Sequence, residues 1–160
     1  MSKTKKICIS GMVMAMYIAI MFTTQHFAFH AVQIRIATAL YPLSYVFPFL
    51  ILPIGLANGL SNFLMGGLGA PDVIGGFIAG IIVSGAAYLV RRFKLPMFLL
   101  IPIVVFGSGL IVPIWLAPLI GWPYFALAIN ISLGQIPSAI TGYLLIKALD
   151  QHADKIGLDK

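Results

Sequence analysis

The chain has 160 residues, of which 61% are apolar and only 9% charged, with a formal net charge of +6. A soluble domain carries about 25% charged residues, so a water-facing surface cannot be built from this composition, whereas lipid as the outer solvent fits it. The positive balance does not point to nucleic acid: nine of the ten basic residues lie near the two ends or in the segment RRFK, and no basic face is interleaved with aromatics.

Between Lys6 and Arg91 only Arg35 and Asp72 are charged, and between Lys94 and Lys147 nothing is. A helix needs roughly 20 apolar residues to cross a bilayer, and polar, glycine and proline breaks cut these stretches into six predicted spans. The first runs from Ile7 to Gln25 and is read as a retained helix, since its apolar run continues past Met21 without an A-x-A cleavage site. A more polar segment, HFAFHAVQIRIATAL, comes next. The second span covers Leu40–Leu52, with Pro42 and Pro48 making it irregular, and the third covers Pro53–Leu68, ending at GGLGAPD. The fourth covers Val73–Leu89 and stops at RRFK, the fifth covers Met97–Leu116, and the sixth covers Tyr124–Leu149 before a charged tail. With Lys3, Lys5 and Lys6 in the cytoplasm, six crossings also place Arg91, Arg92, Lys94, Lys147, Lys155 and Lys160 there. The expectation is an all-α integral membrane protein of six transmembrane helices, both termini cytoplasmic, forming a single membrane-embedded domain over residues 1–160.

That topology gathers the unusual residues at the outward end. Arg35 offers a planar fork of donors suited to a heteroaromatic carbonyl or a carboxylate; a headgroup anchor and a pairing with Asp72 are its other readings. Asp72 either caps the fourth span or accepts from ring nitrogens or an exocyclic amine. Gln33 and Thr38 flank Arg35, and Asn62, Asn130 and Gln135 are amides toward the same end. Amides inside a membrane must find partners, here either across helices or on a ligand in a polar pocket open to the outside; Asn58, one turn before Asn62, poses the same choice. Gly11, Ala15 and Ala19 put small residues on one face of the first span, suited to close helix approach either within the chain or to a partner; Gly76, Gly80 and Ser84, and Gly134, Ser138 and Gly142, repeat the pattern.

Enzymatic chemistry finds little support. There is no G-x-x-x-x-G-K-[ST] element, no paired carboxylates and no convincing nucleophile–histidine set. His26 and His30, four apart, lack an obvious third metal ligand, and Cys8 is the sole cysteine. No metal and no cofactor are expected. A binder drawing energy from another subunit fits best; a membrane-embedded lipid enzyme and a ligand-free assembly factor are the readings from other classes.

The stretch VQIRIATALYPLSYVFPFLILPIGLANGLSNFLMGGLGAPDVIGG, followed by INISLGQIPSAITGYLL, resembles the queuosine-precursor (QueT-like) group of substrate-binding S components of energy-coupling factor (ECF) transporters. Gln33, Arg35, Ala39 and Leu40 match that group's Q-x-R-x-x-E-A-L element, while Thr38 stands where the group has its glutamate. The resemblance implies a subunit that captures a scarce micronutrient outside the cell and docks, through a stripe such as Gly11, Ala15 and Ala19, on a transmembrane coupling protein carrying two ATPase subunits. It implies a 7-deazaguanine substrate; the missing glutamate leaves open a neutral variant or another vitamin precursor of pyridine or pyrimidine type, with Asp72 as a substitute acid.

Overall fold

The computed structural model describes residues 1–28, 34–66 and 68–151. Among these residues every regular element is helical. They are α1 (Lys3–Thr23), α2 (Gln25–Ala28), a 3₁₀ turn (Ile36–Leu40), α3 (Leu43–Val46), α4 (Ile51–Ser61), α5 (Ala70–Arg92), α6 (Leu100–Ile111), α7 (Pro113–Ile120) and α8 (Tyr124–Gln151). A 3₁₀ turn over Pro48–Leu50 leads into α4, a π-helical turn over Asn62–Gly66 extends it, and a 3₁₀ turn over Met97–Leu99 leads into α6.

Local chemistry sets the ends. Ser2 caps α1 by accepting from the Lys5 amide at 3.3 Å. Gly69, at φ +80°, turns the chain into α5, whose last turn carries Arg91 and Arg92 against the helix dipole. Gly121, at φ +71°, stops α7.

Five helical stretches are long and apolar enough to cross a membrane: Lys3–Thr23, Pro48–Gly66, Ala70–Arg92, Met97–Ile120 and Tyr124–Gln151. The predicted second span is the exception. It is a shorter apolar piece, Ile36–Val46, built from a 3₁₀ turn and one turn of α-helix. Its boundary with the next span lies at Phe47 rather than at residue 52, because Pro48 disfavours α conformation at Phe47, which sits at φ −122°, ψ 83°. The outer surface is apolar all round; Ile7, Phe22, Phe63, Phe98 and Phe125 are all exposed, as expected of a chain solvated by lipid.

Long-range contacts gather four chain segments at one end. Lys6 lies 5.8 Å from the Phe49 ring centroid. Arg91 stacks over Tyr45 at 5.4 Å and lies 3.9 Å from Asp150. The start of α1, the α3–α4 link, the end of α5 and the end of α8 thus meet, and Ile36–Val46 descends to this end from the level of Arg35.

Helices α4 and α5 pack backbone to backbone. A Cβ on Gly80 would lie 2.8 Å from Gly55 Cα, and one on Gly59 would lie 3.1 Å from Val73 O. Small residues permit such approach where apolar burial gives no drive. Likewise a Cβ on Gly142 of α8 would meet Ala39 O at 2.7 Å, so the second and third small-residue stripes serve packing within the chain. Gly80→Ala should destabilise the protein by about 1–3 kcal/mol in thermal unfolding in detergent. Gly85→Ala on the same helix, where a Cβ meets nothing within 4 Å, should be neutral or stabilising.

Candidate functional site

The most polar part of the interior is assembled from elements spread along the whole chain. It begins at Arg35, 5% exposed, just before the Ile36–Leu40 turn. The Arg35 carbonyl accepts from the Thr38 amide at 3.1 Å, the Ser138 hydroxyl at 2.9 Å and the Thr38 hydroxyl at 2.6 Å. That clamp ties the irregular segment to α8. The Thr38 hydroxyl also lies 2.5 Å from Gln135 Oε1. Its single proton serves one acceptor at a time, and turning the Gln135 amide lets Thr38 donate to Arg35 and accept from Gln135.

The guanidinium points to α4. Arg35 Nη1 donates to Asn58 Oδ1 at 3.1 Å, and Asn58 Nδ2 donates to the Tyr41 hydroxyl at 2.8 Å and to the Gly76 carbonyl at 2.6 Å. Tyr41 stacks on Tyr17 of α1, with ring centroids 6.1 Å apart and hydroxyls 3.4 Å apart. Asn58 therefore joins Arg35, α5 and, through the tyrosine pair, α1. It uses every donor and acceptor that an amide buried in an apolar fold must satisfy.

One turn further along, Asn62 opens the π-helical turn, and its Nδ2 donates to the Asp72 carbonyl at 2.9 Å. Asp72 is 2% exposed and lies in the first turn of α5. It does not cap that helix: Gly69 holds the cap position without a side-chain bond, and Asp72 Oδ1 instead accepts from Trp115 Nε1 of α7 at 3.1 Å. The indole lies flat against Gly75, where a Cβ would run into its six-membered ring. Asp72 Oδ2 and Asn62 Oδ1 are buried without a hydrogen-bond partner.

The structure thus brings together Arg35, Thr38, Gln135, Asn62 and Asp72, five of the seven residues expected to form a site. Gln33 and His30 lie outside the described residues. Asn130 is half-buried and makes no side-chain hydrogen bond among the described residues. Arg35 is not a headgroup anchor, being buried, and it is not within 4 Å of Asp72; the ion pair found among the described residues is Arg91–Asp150. No group of three or more His, Cys, Asp or Glu among the described residues is placed to hold a metal. Tyr17, Tyr41, Ser138 and Trp115 are partners that sequence reasoning missed, as nothing in spacing ties them to Arg35 or Asp72. Gly11, Ala15 and Ala19 are exposed on the face of α1 opposite Val13, Tyr17 and Met21, and a Cβ on Gly11 would meet nothing within 4 Å.

Five membrane-length helices around a buried polar cluster define a multi-pass membrane protein with an internal polar site. The family profile described as QueT transporter matches residues 7–151, and the chain belongs to that transporter family. No curated protein and no solved structure matches the chain.

Trp115→Phe keeps the aromatic mass against Gly75 but deletes the donor to Asp72. It should lower stability by about 1–3 kcal/mol in detergent thermal melts, whereas Trp122→Phe at an exposed position should leave the melting temperature unchanged.

Proposed function

We propose that this chain is the substrate-binding S component of an ECF-type transporter, a single membrane domain over residues 1–160 that crosses the cell membrane six times with both termini cytoplasmic. Its cargo is a vitamin-like heteroaromatic micronutrient captured outside the cell, foremost a queuosine precursor of the 7-deazaguanine type. A neutral pyridine or pyrimidine precursor is the other cargo consistent with a threonine at position 38.

The observation that carries the reading is the polar cluster around Arg35, set inside a helical bundle whose outside is apolar. A buried guanidinium is costly to keep in an apolar interior, and a transporter family supplies a reason for placing polar groups there. Gln33, Arg35, Thr38, Asn62, Asp72, Asn130 and Gln135 are assigned to the substrate site.

Six crossings with cytoplasmic ends draw support from the contacts of Lys6 with Phe49 and of Arg91 with Tyr45 and Asp150, which put the start of α1 and the end of α8 at one end. The short Ile36–Val46 piece is the second crossing, and the basic residues at that end fit the positive-inside pattern. The sequence carries no nucleotide-binding P-loop, so energy would come from two separate ATPase subunits on a coupling protein. The exposed Gly11, Ala15 and Ala19 face of α1 is the assigned docking surface for that protein.

Mass spectrometry of small molecules retained by the purified protein, followed by titration, tests the cargo. A stoichiometric heteroaromatic compound should be found, and Arg35→Ala should weaken its binding about tenfold or more. A protein that is empty and binds neither deazaguanine, pyridine nor pyrimidine candidates would remove the substrate assignment. Ala15→Trp should abolish cellular uptake while leaving binding by purified protein intact; normal uptake would remove the docking assignment.

A further inference from the structure

The junction between α4 and α5 holds two acceptors that no described residue fills. Asn62 and Asp72 are each 2% exposed, and Asn62 Oδ1 and Asp72 Oδ2 are buried without a partner. Their orientation is not free to change. Asn62 Nδ2 donates to the Asp72 carbonyl at 2.9 Å, and that carbonyl can only accept. Rotating the amide would set two acceptors against each other, so Oδ1 stays on the far side. The other carboxylate oxygen, Asp72 Oδ1, is fixed by Trp115 Nε1 at 3.1 Å.

The one side-chain donor found on the carboxylate among the described residues is already used. Trp115 has one N–H, and it is given to Oδ1. No Lys, Arg or His lies within 4 Å of the Asp72 carboxylate among the described residues. A cavity of about 410 Å³ opens beside Asn62, bordered also by Phe63, Gly69, Ala70, Val73 and Ile74. Its backbone setting is irregular on both sides: the π-helical turn starts at Asn62, and the left-handed Gly69 precedes α5. π-Helical turns recur where function requires an unusual register.

We propose that Asn62 Oδ1 and Asp72 Oδ2 form an acceptor pair for a ligand that presents N–H donors on an amidine-like edge, such as a ring N–H beside an exocyclic amine. The proposal rests on the substrate-site reading above and adds the polarity of recognition at this end of the site. A carboxylate and an amide oxygen reward donors and reject a carbonyl or carboxylate presented at the same place. A ligand of the right shape that lacks the amine would keep the ring N–H but leave one of the two oxygens buried and unfilled, which is the arrangement that gives strong discrimination.

The test uses fragments, so that it does not depend on the full cargo. 2-Aminopyrimidin-4-one carries the amidine-like edge and pyrimidin-4-one lacks the amine. Thermal unfolding of the whole protein in detergent is followed as each is titrated, with sodium chloride at matched ionic strength as a third arm. The amino fragment should raise the melting temperature of the native protein, and the plain fragment should bind about tenfold more weakly or worse. Asp72→Asn keeps the shape and the acceptor for Trp115 but sets an NH₂ where Oδ2 was. It should abolish the preference between the two fragments. Asn62→Leu leaves Asp72 in place and should reduce the preference too, each variant being compared with its own ligand-free melting temperature.

Equal shifts by both fragments, no shift by either, or an unaltered preference in both variants would overturn the proposal. A shift by sodium alone that Asp72→Asn removes would overturn it in favour of a cation site. A shift by added phosphatidylethanolamine but not by the amino fragment would assign the acceptors to a lipid ammonium and likewise overturn it. The substrate-site reading is judged separately, by retained cargo. Retained cargo with unchanged affinity in Asp72→Asn would sink this inference and leave that reading standing.

Discussion

A guanidinium buried in a lipid-solvated protein constrains everything around it. The Arg35 guanidinium has donors and no acceptor, and at 5% exposure little water reaches it. Its neighbours must supply oxygen at fixed positions. Asn58 does so, and in turn needs acceptors for its own NH₂, which it finds on Tyr41 and the Gly76 carbonyl. Reaching the backbone of α5 requires that α4 lie almost against it. The absence of side chains at Gly55, Gly59, Gly76 and Gly80 permits that approach, and a Cβ on Gly76 would fall 2.5 Å from Asn62 Nδ2. The glycine seam and the polar cluster are one arrangement: the amides fill the space that the glycines leave.

Much of the fold is legible in the sequence. The run of apolar segments gives five of the long helices to within a few residues, because lipid solvation leaves little else that such stretches can do. The second predicted span is where periodicity and length fail. Five of its eleven residues, Ile36–Leu40, use 3₁₀ geometry, which rises further per residue than an α-helix, and Pro48 moves its end back to Phe47. Hydropathy cannot distinguish such a piece from the beginning of the next helix.

The candidate site is legible in residue type more than in connection. Polar residues in an otherwise apolar chain stand out, and Arg35, Thr38, Asn62, Asp72 and Gln135 do converge. What they bond to is not visible in spacing. Thr38 and Gln135 are 97 positions apart, Ser138 and Arg35 are 103 apart, and Asp72 and Trp115 are 43 apart. Asn58 carries a visible signal, its place one turn before Asn62, yet its role as the hub depends on Tyr41, whose hydroxyl sits in a span that reads as apolar and irregular, with no sign of a polar partner. Asp72 shows the reverse case. Its place near a helix start offers capping as one of two readings on sequence grounds, but Gly69 takes that position and the carboxylate faces α7.

Gly11 lies in the middle of α1 with open space where a side chain would be. A glycine inside a helix costs roughly 0.8–1 kcal/mol relative to alanine. Elsewhere in this chain the cost is offset by close backbone approach, as at Gly55 and Gly80, but at Gly11 no neighbouring helix takes advantage of the gap. Within the isolated chain the residue is a net weakness: it makes α1 easier to bend at that point and leaves a shallow notch in the outer surface. Any benefit of that notch has to come from a surface outside this fold.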